Sequence, residues 1–504
     1  MYEGNYLISK LRQASADRNA DTFVNGNNGR TFGQFFSNAE KYAALLVDRK
    51  IQPGQRVAVQ VDKSIEALEL YIGTIMAGAV FLPLNPDYTA TEVAYFLQDA
   101  SPKLFVIDPD RETEMQDVAA DIDGIDLMTL DASGDGTLIA AVSEMNAGFL
   151  PVARSADDLA AILYTSGTTG RSKGAMLTHR ALASNAETLV DYWRFTPNDV
   201  LIHALPIFHT HGLFVATNVA LMAGSSMEFL PKFNLDAIFN AMVNATVLMG
   251  VPTFYTRLLM DARLSKKTTK NMRLFISGSA PLLAETHDQW TLKTGHKILE
   301  RYGMTETNMN TSNPYDGVRK PGTVGLPLPG IEVNIVDENR NVLGAGEIGS
   351  IEVRGDNVFS GYWQMPEKTA EELKPDGWFI TGDLGVKEND GYITIVGRSK
   401  DLIITGGFNV YPKEVETIID DIPDVLESAV IGVPHQDFGE AVVAVVVLKG
   451  GAKISNGEII SEVSHNLAMF KCPKNVLIVN ELPRNTMGKV QKKTLREEFS
   501  ELFA

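Results

Sequence analysis

The residues Thr165-Ser166-Gly167-Thr168-Thr169-Gly170-Arg171-Ser172-Lys173-Gly174 mix glycines, hydroxyls and two cations directly after an apolar, strand-like run. Glycines let backbone amides approach an anion closely, and successive amides can form a nest around it. The Thr and Ser hydroxyls donate further hydrogen bonds, and Arg171 and Lys173 add charge suited to a polyphosphate. The same composition also suits a plain turn after a strand, so the stretch alone leaves both readings open. It lacks the Gly-x-x-x-x-Gly-Lys-Ser/Thr spacing of a P-loop, and phosphoryl transfer of the kinase or GTPase kind does not follow from it.

Arg257 offers chemistry of another sort. If a helix begins at Pro252, then Phe254, Arg257 and Leu258 share a face at i, i+3 and i+4. A buried arginine needs an anion, and a substrate carboxylate would meet it in bidentate geometry. A surface arginine or a structural ion pair is the alternative. Other patterns carry less. Gly344-Ala345-Gly346-Glu347-Ile348-Gly349 has dinucleotide-loop spacing but leads into a strand and not a helix. His209-Thr210-His211 has no cysteine or carboxylate cluster at metal-ligand spacing. Cys472 has no evident catalytic partner, and no Gly-x-Ser-x-Gly elbow is present.

The elements that must position these residues alternate along the chain. Strand-like runs are expected at Arg56–Val61, Phe81–Leu84, Leu104–Asp108, Ala160–Tyr164, Val200–Leu205, Thr246–Gly250 and Arg273–Ser277, with a helix over Ser64–Ala77. This predicts α/β layers around largely parallel sheet. After about Gly325 the texture turns β-rich, with strands at Glu332–Val336, Ser350–Val353 and Tyr392–Val396. Beyond Gly397 an α+β unit begins, with helices at Pro412–Asp421 and Asn456–Ala468 and strands at Leu426–Val433 and Val442–Leu448. The expected division is therefore a large domain over 1–398 and a small one over 399–504. At 504 residues more than one domain is expected anyway. The longest aliphatic run, Ala441–Leu448, is far too short to span a bilayer, and the N-terminus does not read as a secretory signal. One cysteine fits a reducing cytoplasm, and a net charge of −18 argues against a general nucleic-acid binder.

Taken in order, the glycine-rich stretch and the motifs after it resemble the adenylate-forming superfamily of acyl-CoA synthetases, luciferases and peptide-synthetase adenylation domains. Those motifs are Ser277-Gly278-Ser279-Ala280-Pro281, Tyr302-Gly303-Met304-Thr305-Glu306-Thr307, Thr381-Gly382-Asp383, Gly397-Arg398-Ser399-Lys400-Asp401, Gly406-Gly407 and Pro483-Arg484-Asn485-Thr486-Met487-Gly488-Lys489. The resemblance covers most of the chain. It implies that ATP and a carboxylic acid form an acyl-adenylate, which coenzyme A converts to a thioester. It also implies that Thr165, Ser166, Gly167, Thr168, Thr169, Gly170 and Lys173 hold the β- and γ-phosphates, and that Glu306 holds Mg²⁺. Ser279, Ala280, Tyr302, Gly303, Met304 and Thr305 would bound the nucleotide, with Asp383 and Arg398 at the ribose. Lys489 would bridge the attacking carboxylate and the α-phosphate. The small domain would be mobile about Lys400, and Gly406 and Gly407 would then line the path of coenzyme A.

Within the superfamily, Ile207–Phe214, Gly250–Leu258 and Glu300–Met309 resemble bacterial malonyl-CoA synthetases. This implies a small dicarboxylate, malonate with methylmalonate tolerated, held by Arg257, His209, Thr210 and Arg301. A short-chain or aryl acid, or delivery to a separate carrier protein, is the alternative.

Overall fold

The computed structural model describes residues 2–26, 28–165, 172–405, 408–435, 438–467, 469–485 and 488–503. Six strands form one sheet in the spatial order Asp126–Thr129, Leu104–Ile107, Arg56–Gln60, Val80–Pro83, Leu159–Thr165 and Lys173–Thr178. All neighbours are parallel except the last pair, a hairpin in which Thr165 faces Lys173. The helix Ile65–Met76 starts where the Ser64 side chain accepts from the Ala67 amide. It is apolar nearly all round, as a helix enclosed between layers must be.

A nine-stranded sheet lies beside it, in the order Leu326–Pro327, Asn308–Ser312, Leu299–Met304, Leu274–Ser277, Val247–Gly250, Val200–His203, Ser226–Phe229, Thr22–Val24 and Arg30–Thr31. Its middle is parallel and its ends antiparallel. Ligands of open α/β sheets bind beyond the carboxyl ends of parallel strands. Here those ends lead to residues 204–211, 251–257, 278–281 and 305–307. The third sheet is antiparallel, Ile331–Val336, Ile348–Gly355, Phe379–Lys387 and Ile393–Arg398, and its register sets Asp383 opposite Arg398.

The C-terminal unit has strands Phe408–Val410, Ile403–Thr405, Gly439–Leu448 and Val425–His435 in that order, with Asn475–Val479 parallel to Gly439–Leu448. The aliphatic run is this sheet's centre. Val442, Ala444 and Val446 pack toward helices Pro412–Asp420 and Asn456–Asn466, while Val443, Val445 and Val447 pack toward Leu495 of helix Lys492–Glu498. Alternate side chains are thus covered on both faces, which is why the run is apolar throughout. Among the described residues, no helix is long and apolar enough to cross a membrane.

The fold class is therefore α/β layers with a smaller β-rich part and a small α+β C-terminal domain. The strands expected from sequence occur within three residues of their expected bounds. Among the elements that escaped that reading are the helices Phe32–Asp48 and His179–Tyr192, and the strand Phe379–Lys387, whose alternation glycines interrupt.

Candidate active site

Three groups of side chains lie within electrostatic reach of Lys489. The first surrounds the ends of the hairpin strands at Thr165 and Lys173. Glu306, 5% exposed, receives a hydrogen bond of 3.0 Å from the Tyr362 hydroxyl and one of 3.5 Å from Thr165 Oγ1. Tyr362 also lies 2.6 Å from Glu372, whose other oxygen pairs with Lys173 Nζ at 3.2 Å. The Lys173 ammonium sits 4.1 Å above the Tyr362 ring. Burial raises the Glu306 pKa; its own backbone amide, Tyr362, Lys173 and Arg398 oppose the rise without cancelling it. A buried carboxylate beside a hydroxyl, with no cation bonded to it directly among the described residues, suits Mg²⁺, which keeps its waters and takes one or two carboxylates plus substrate phosphates. Ser166, Gly167, Thr168, Thr169 and Gly170 lie outside the described residues.

The second group lies at the edge of the antiparallel sheet. Asp383 accepts from the Tyr302 hydroxyl and pairs with Arg398 Nε at 2.7 Å. Burial works against the Arg398 charge, but Asp383, Tyr302 and Glu306 outweigh it and its pKa is raised. Ser279 holds a left-handed backbone at φ 71° and its Oγ meets His211 Nδ1 at 3.1 Å. A non-glycine residue there is strained, and such strain gathers at functional sites. Ala280, Gly303, Met304 and Thr305 are half-buried nearby in sequence.

The third group is cationic. Arg301 is 4% exposed, and its Nε and Nη2 have no hydrogen-bond partner among the described residues. Its guanidinium lies over Gly278, where a Cβ would fall 2.3 Å from Arg301 Cζ, so only glycine admits this packing. Thr210 Oγ1 and His211 Nε2 are likewise buried without a partner among the described residues. Burial, then the Arg301 charge, hold His211 well below the ordinary histidine range, so it stays neutral. Burial also lowers Arg301 to about 9, which leaves it charged at neutral pH. Buried donors left unpaired cost about 1–3 kcal/mol each, more when charged, and a ligand that pairs them recovers that energy.

Lys489 joins the three groups. Its turn is held by the Asn485 side chain, which accepts from the Lys489 amide at 2.9 Å, and by Arg484 Nη1, which donates to Gly488 O at 2.6 Å. A Cβ on Gly488 would stand 3.5 Å from Thr253 Cγ2, so the turn rests on the helix Pro252–Met260. Lys489 is open to the cleft yet crowded by protein. Burial, then Arg398 and Arg301, lower its pKa, while Asp383 and Glu306 pull the other way. His209 is pushed down to about 4 by burial and then by Lys489, so it too is neutral.

One expectation fares differently. Arg257 is exposed, 5.7 Å from the Phe233 ring, although Phe254 and Leu258 of its helix are buried. Three residues turn a helix by 300°, which puts Arg257 on the rim beside that face; Arg301 holds the buried position instead. Lys400 is exposed in a short 3₁₀ turn, Ser399–Asp401. Gly406 and Gly407 lie outside the described residues. Sequence reasoning missed Tyr362 and Glu372, for which no motif was available. It also set His211 aside with the His-Thr-His pattern, though its neighbour Thr210 was retained.

The chain matches the family model "AMP-binding enzyme" over residues 11–363 and "AMP-binding enzyme C-terminal domain" over 414–489. It is 56% identical to ATP-bound MatB from Rhodopseudomonas palustris, with TM-score 0.97, covering 99% of this chain and 100% of that one. Against apo MatB from the same organism the TM-score is 0.86. It is 36% identical to a malonate–CoA ligase of Arabidopsis thaliana, covering 88% of this chain and 78% of the relative.

Proposed function

The chain belongs to the AMP-binding enzymes, and from that premise we propose that it joins malonate to coenzyme A. The coarser activity is that of an AMP-forming acid–CoA ligase, with ATP and coenzyme A as substrates. The observation that carries the finer reading is the Arg301 guanidinium, buried and unpaired, with the orphaned Thr210 Oγ1 and His211 Nε2 around the same turn. A monocarboxylate would leave those donors unpaired, whereas a second carboxylate accepts from them. Arg257 at the rim adds positive field at the mouth, and methylmalonate differs only by one methyl group.

In this reading the near carboxylate attacks the α-phosphorus of ATP, and the bond to pyrophosphate breaks. Both reactants are anions, so catalysis is positioning and charge neutralisation. Lys489 reaches carboxylate and α-phosphate together. Lys173 exchanges Glu372 for a phosphate, and Asp383 and Arg398 hold the ribose beside Tyr302. Glu306 would hold Mg²⁺, which would supply charge neutralisation at the phosphates. His209, neutral, walls the acid side. The thiol of coenzyme A then attacks the acyl carbonyl and AMP leaves. We divide the chain at 398/399, with Lys400 as the hinge and Gly406 and Gly407 on the thiol's path.

A panel of acids with ATP, Mg²⁺ and coenzyme A tests this, following AMP and pyrophosphate. Malonate is expected to give the highest kcat/KM, with methylmalonate next and propionate and benzoate well below. ATP–pyrophosphate exchange without coenzyme A isolates the first step, and removing Mg²⁺ with EDTA should abolish it. A preference for monocarboxylates would overturn the malonate reading, and no exchange with any acid would overturn adenylation.

A further inference from the structure

Behind the acid-side turn lies a lysine that the mechanism does not use. Lys63 follows the strand Arg56–Gln60 and precedes the helix capped by Ser64. Among the described residues no carboxylate pairs with it. Its ammonium instead meets one histidine twice, donating to His203 O at 2.7 Å and lying 2.9 Å from His203 Nδ1. Phe229 covers both, 4.2 Å from the ammonium and with its ring centre 5.2 Å from the imidazole.

The neighbours of His203 determine where its proton sits. Nε2 lies 2.9 Å from Gly212 O, which can only accept, so that contact is a hydrogen bond only in the tautomer whose Nε2 carries hydrogen. Thr217 Oγ1, 3.2 Å from Nε2, already donates to Gly212 O at 3.0 Å. Nδ1 of the neutral ring is then a lone pair, and Lys63 is its donor. A second ring proton would point at a cation. Burial, then Lys63, hold the ring well below the ordinary histidine range; burial lowers Lys63 too, and its nitrogen can donate in either protonation state.

Gly212 O belongs to the first turn of the π-helix His211–Thr217, immediately after His209-Thr210-His211. Wide π turns recur at functional sites, and this one is fastened from two sides. A Cβ on Gly212 would fall 2.0 Å from Pro206 O, so glycine alone lets the loop close there. The other fastening is the His203 hydrogen bond to Gly212 O.

We propose that Lys63 is a positioning residue: by donating to His203 Nδ1 it keeps the ring as the Nε2–H tautomer, which pins Gly212 and so orients Thr210 and His211 toward the acid substrate. The proposal rests on the acid-side reading of that turn. Its proton placement is testable without any substrate.

The test combines spectroscopy and kinetics. With ¹⁵N-histidine labelling, the His203 signals, one set among eight histidines, are identified by their loss in His203→Gln or by their change in Lys63→Met. The native protein should show protonated Nε2 and bare Nδ1 at His203, and Lys63→Met should mix the tautomers. Lys63→Met should raise the KM for malonate about tenfold and leave the KM for ATP within about twofold, the loss of one oriented hydrogen bond. In a His203→Gln background, whose amide cannot change tautomer, the same substitution should add less than about twofold, a coupling that plain packing does not produce. A protonated Nδ1 in the native protein overturns the proposal. So do equal rises in both KM values, or a tenfold effect that persists in the glutamine background. If no dicarboxylate proves to be a substrate, the function reading fails while the tautomer measurement still decides the role of Lys63.

Discussion

Arg301 and Arg257 show what the environment of a charge decides. Both are arginines near the acid side, but one is buried without a partner and the other is exposed. Removing one member of a buried charge pair costs about 3–5 kcal/mol, or roughly two to three decades at ~1.4 kcal/mol per decade. Arg301→Met is therefore expected to lower kcat/KM for malonate by about two to three decades and for propionate by under one. Arg257→Ala should lower the malonate value by about one decade or less, as a rim charge does. Steady-state kinetics on both acids check this, and equal losses on both acids for Arg301→Met would remove the clamp. The spacing of Phe254, Arg257 and Leu258 revealed the helix but not the depth of each side chain. Depth depends on Phe233 and Gly278, which are distant in sequence. Asp383, Arg398 and Glu306 were legible only through motif order. Tyr362, which touches two carboxylates, had no motif to announce it.

At the scale of elements, the strand Leu299–Met304 turns alternate residues to opposite faces. Arg301 serves the cleft, so its neighbour Glu300 is carried into the other layer. There it is 6% exposed, its carboxylate accepts from the Gly322 amide at 3.3 Å, and burial raises its pKa to about 8. In the unfolded chain this group ionises near the ordinary glutamate value. Folding therefore loses stability as pH rises from that value to about 8, and the loss levels off above it. Glu300→Gln does not titrate. It should gain on the native protein across that window, by about 1–3 kcal/mol at pH 8 and nothing near pH 4. Denaturant midpoints at several pH values read this directly, and a gap that does not change with pH would refute it. Most strands were legible because short apolar runs alternate with helical spacing. The π-helix His211–Thr217 was not, because no residue pattern distinguishes its wide turn from an ordinary helix.

At the scale of the molecule, the described core clusters part between Ile393 and Ile403, which brackets the proposed hinge. Lys400→Pro should slow thioester formation at least tenfold and leave ATP–pyrophosphate exchange within about threefold, since proline locks φ and a rotation concentrated in a few residues needs that freedom. Comparing exchange with thioester yield from the same preparation separates the steps, and parallel losses would place the hinge elsewhere. Sequence reading located this boundary from a change of texture. It had no access to how the two parts face each other, which depends on contacts such as Lys449 with Glu285 at 3.5 Å.

Gly488 rests on Thr253, one turn before Arg257 on the same helix. The loop that carries Lys489 and the helix that carries Arg257 are therefore each other's stop. In the proposed reaction, an acid too long for its site is expected to meet that seam and hold Lys489 away from the α-phosphate, so that ATP–pyrophosphate exchange falls with oversized acids before any adenylate forms.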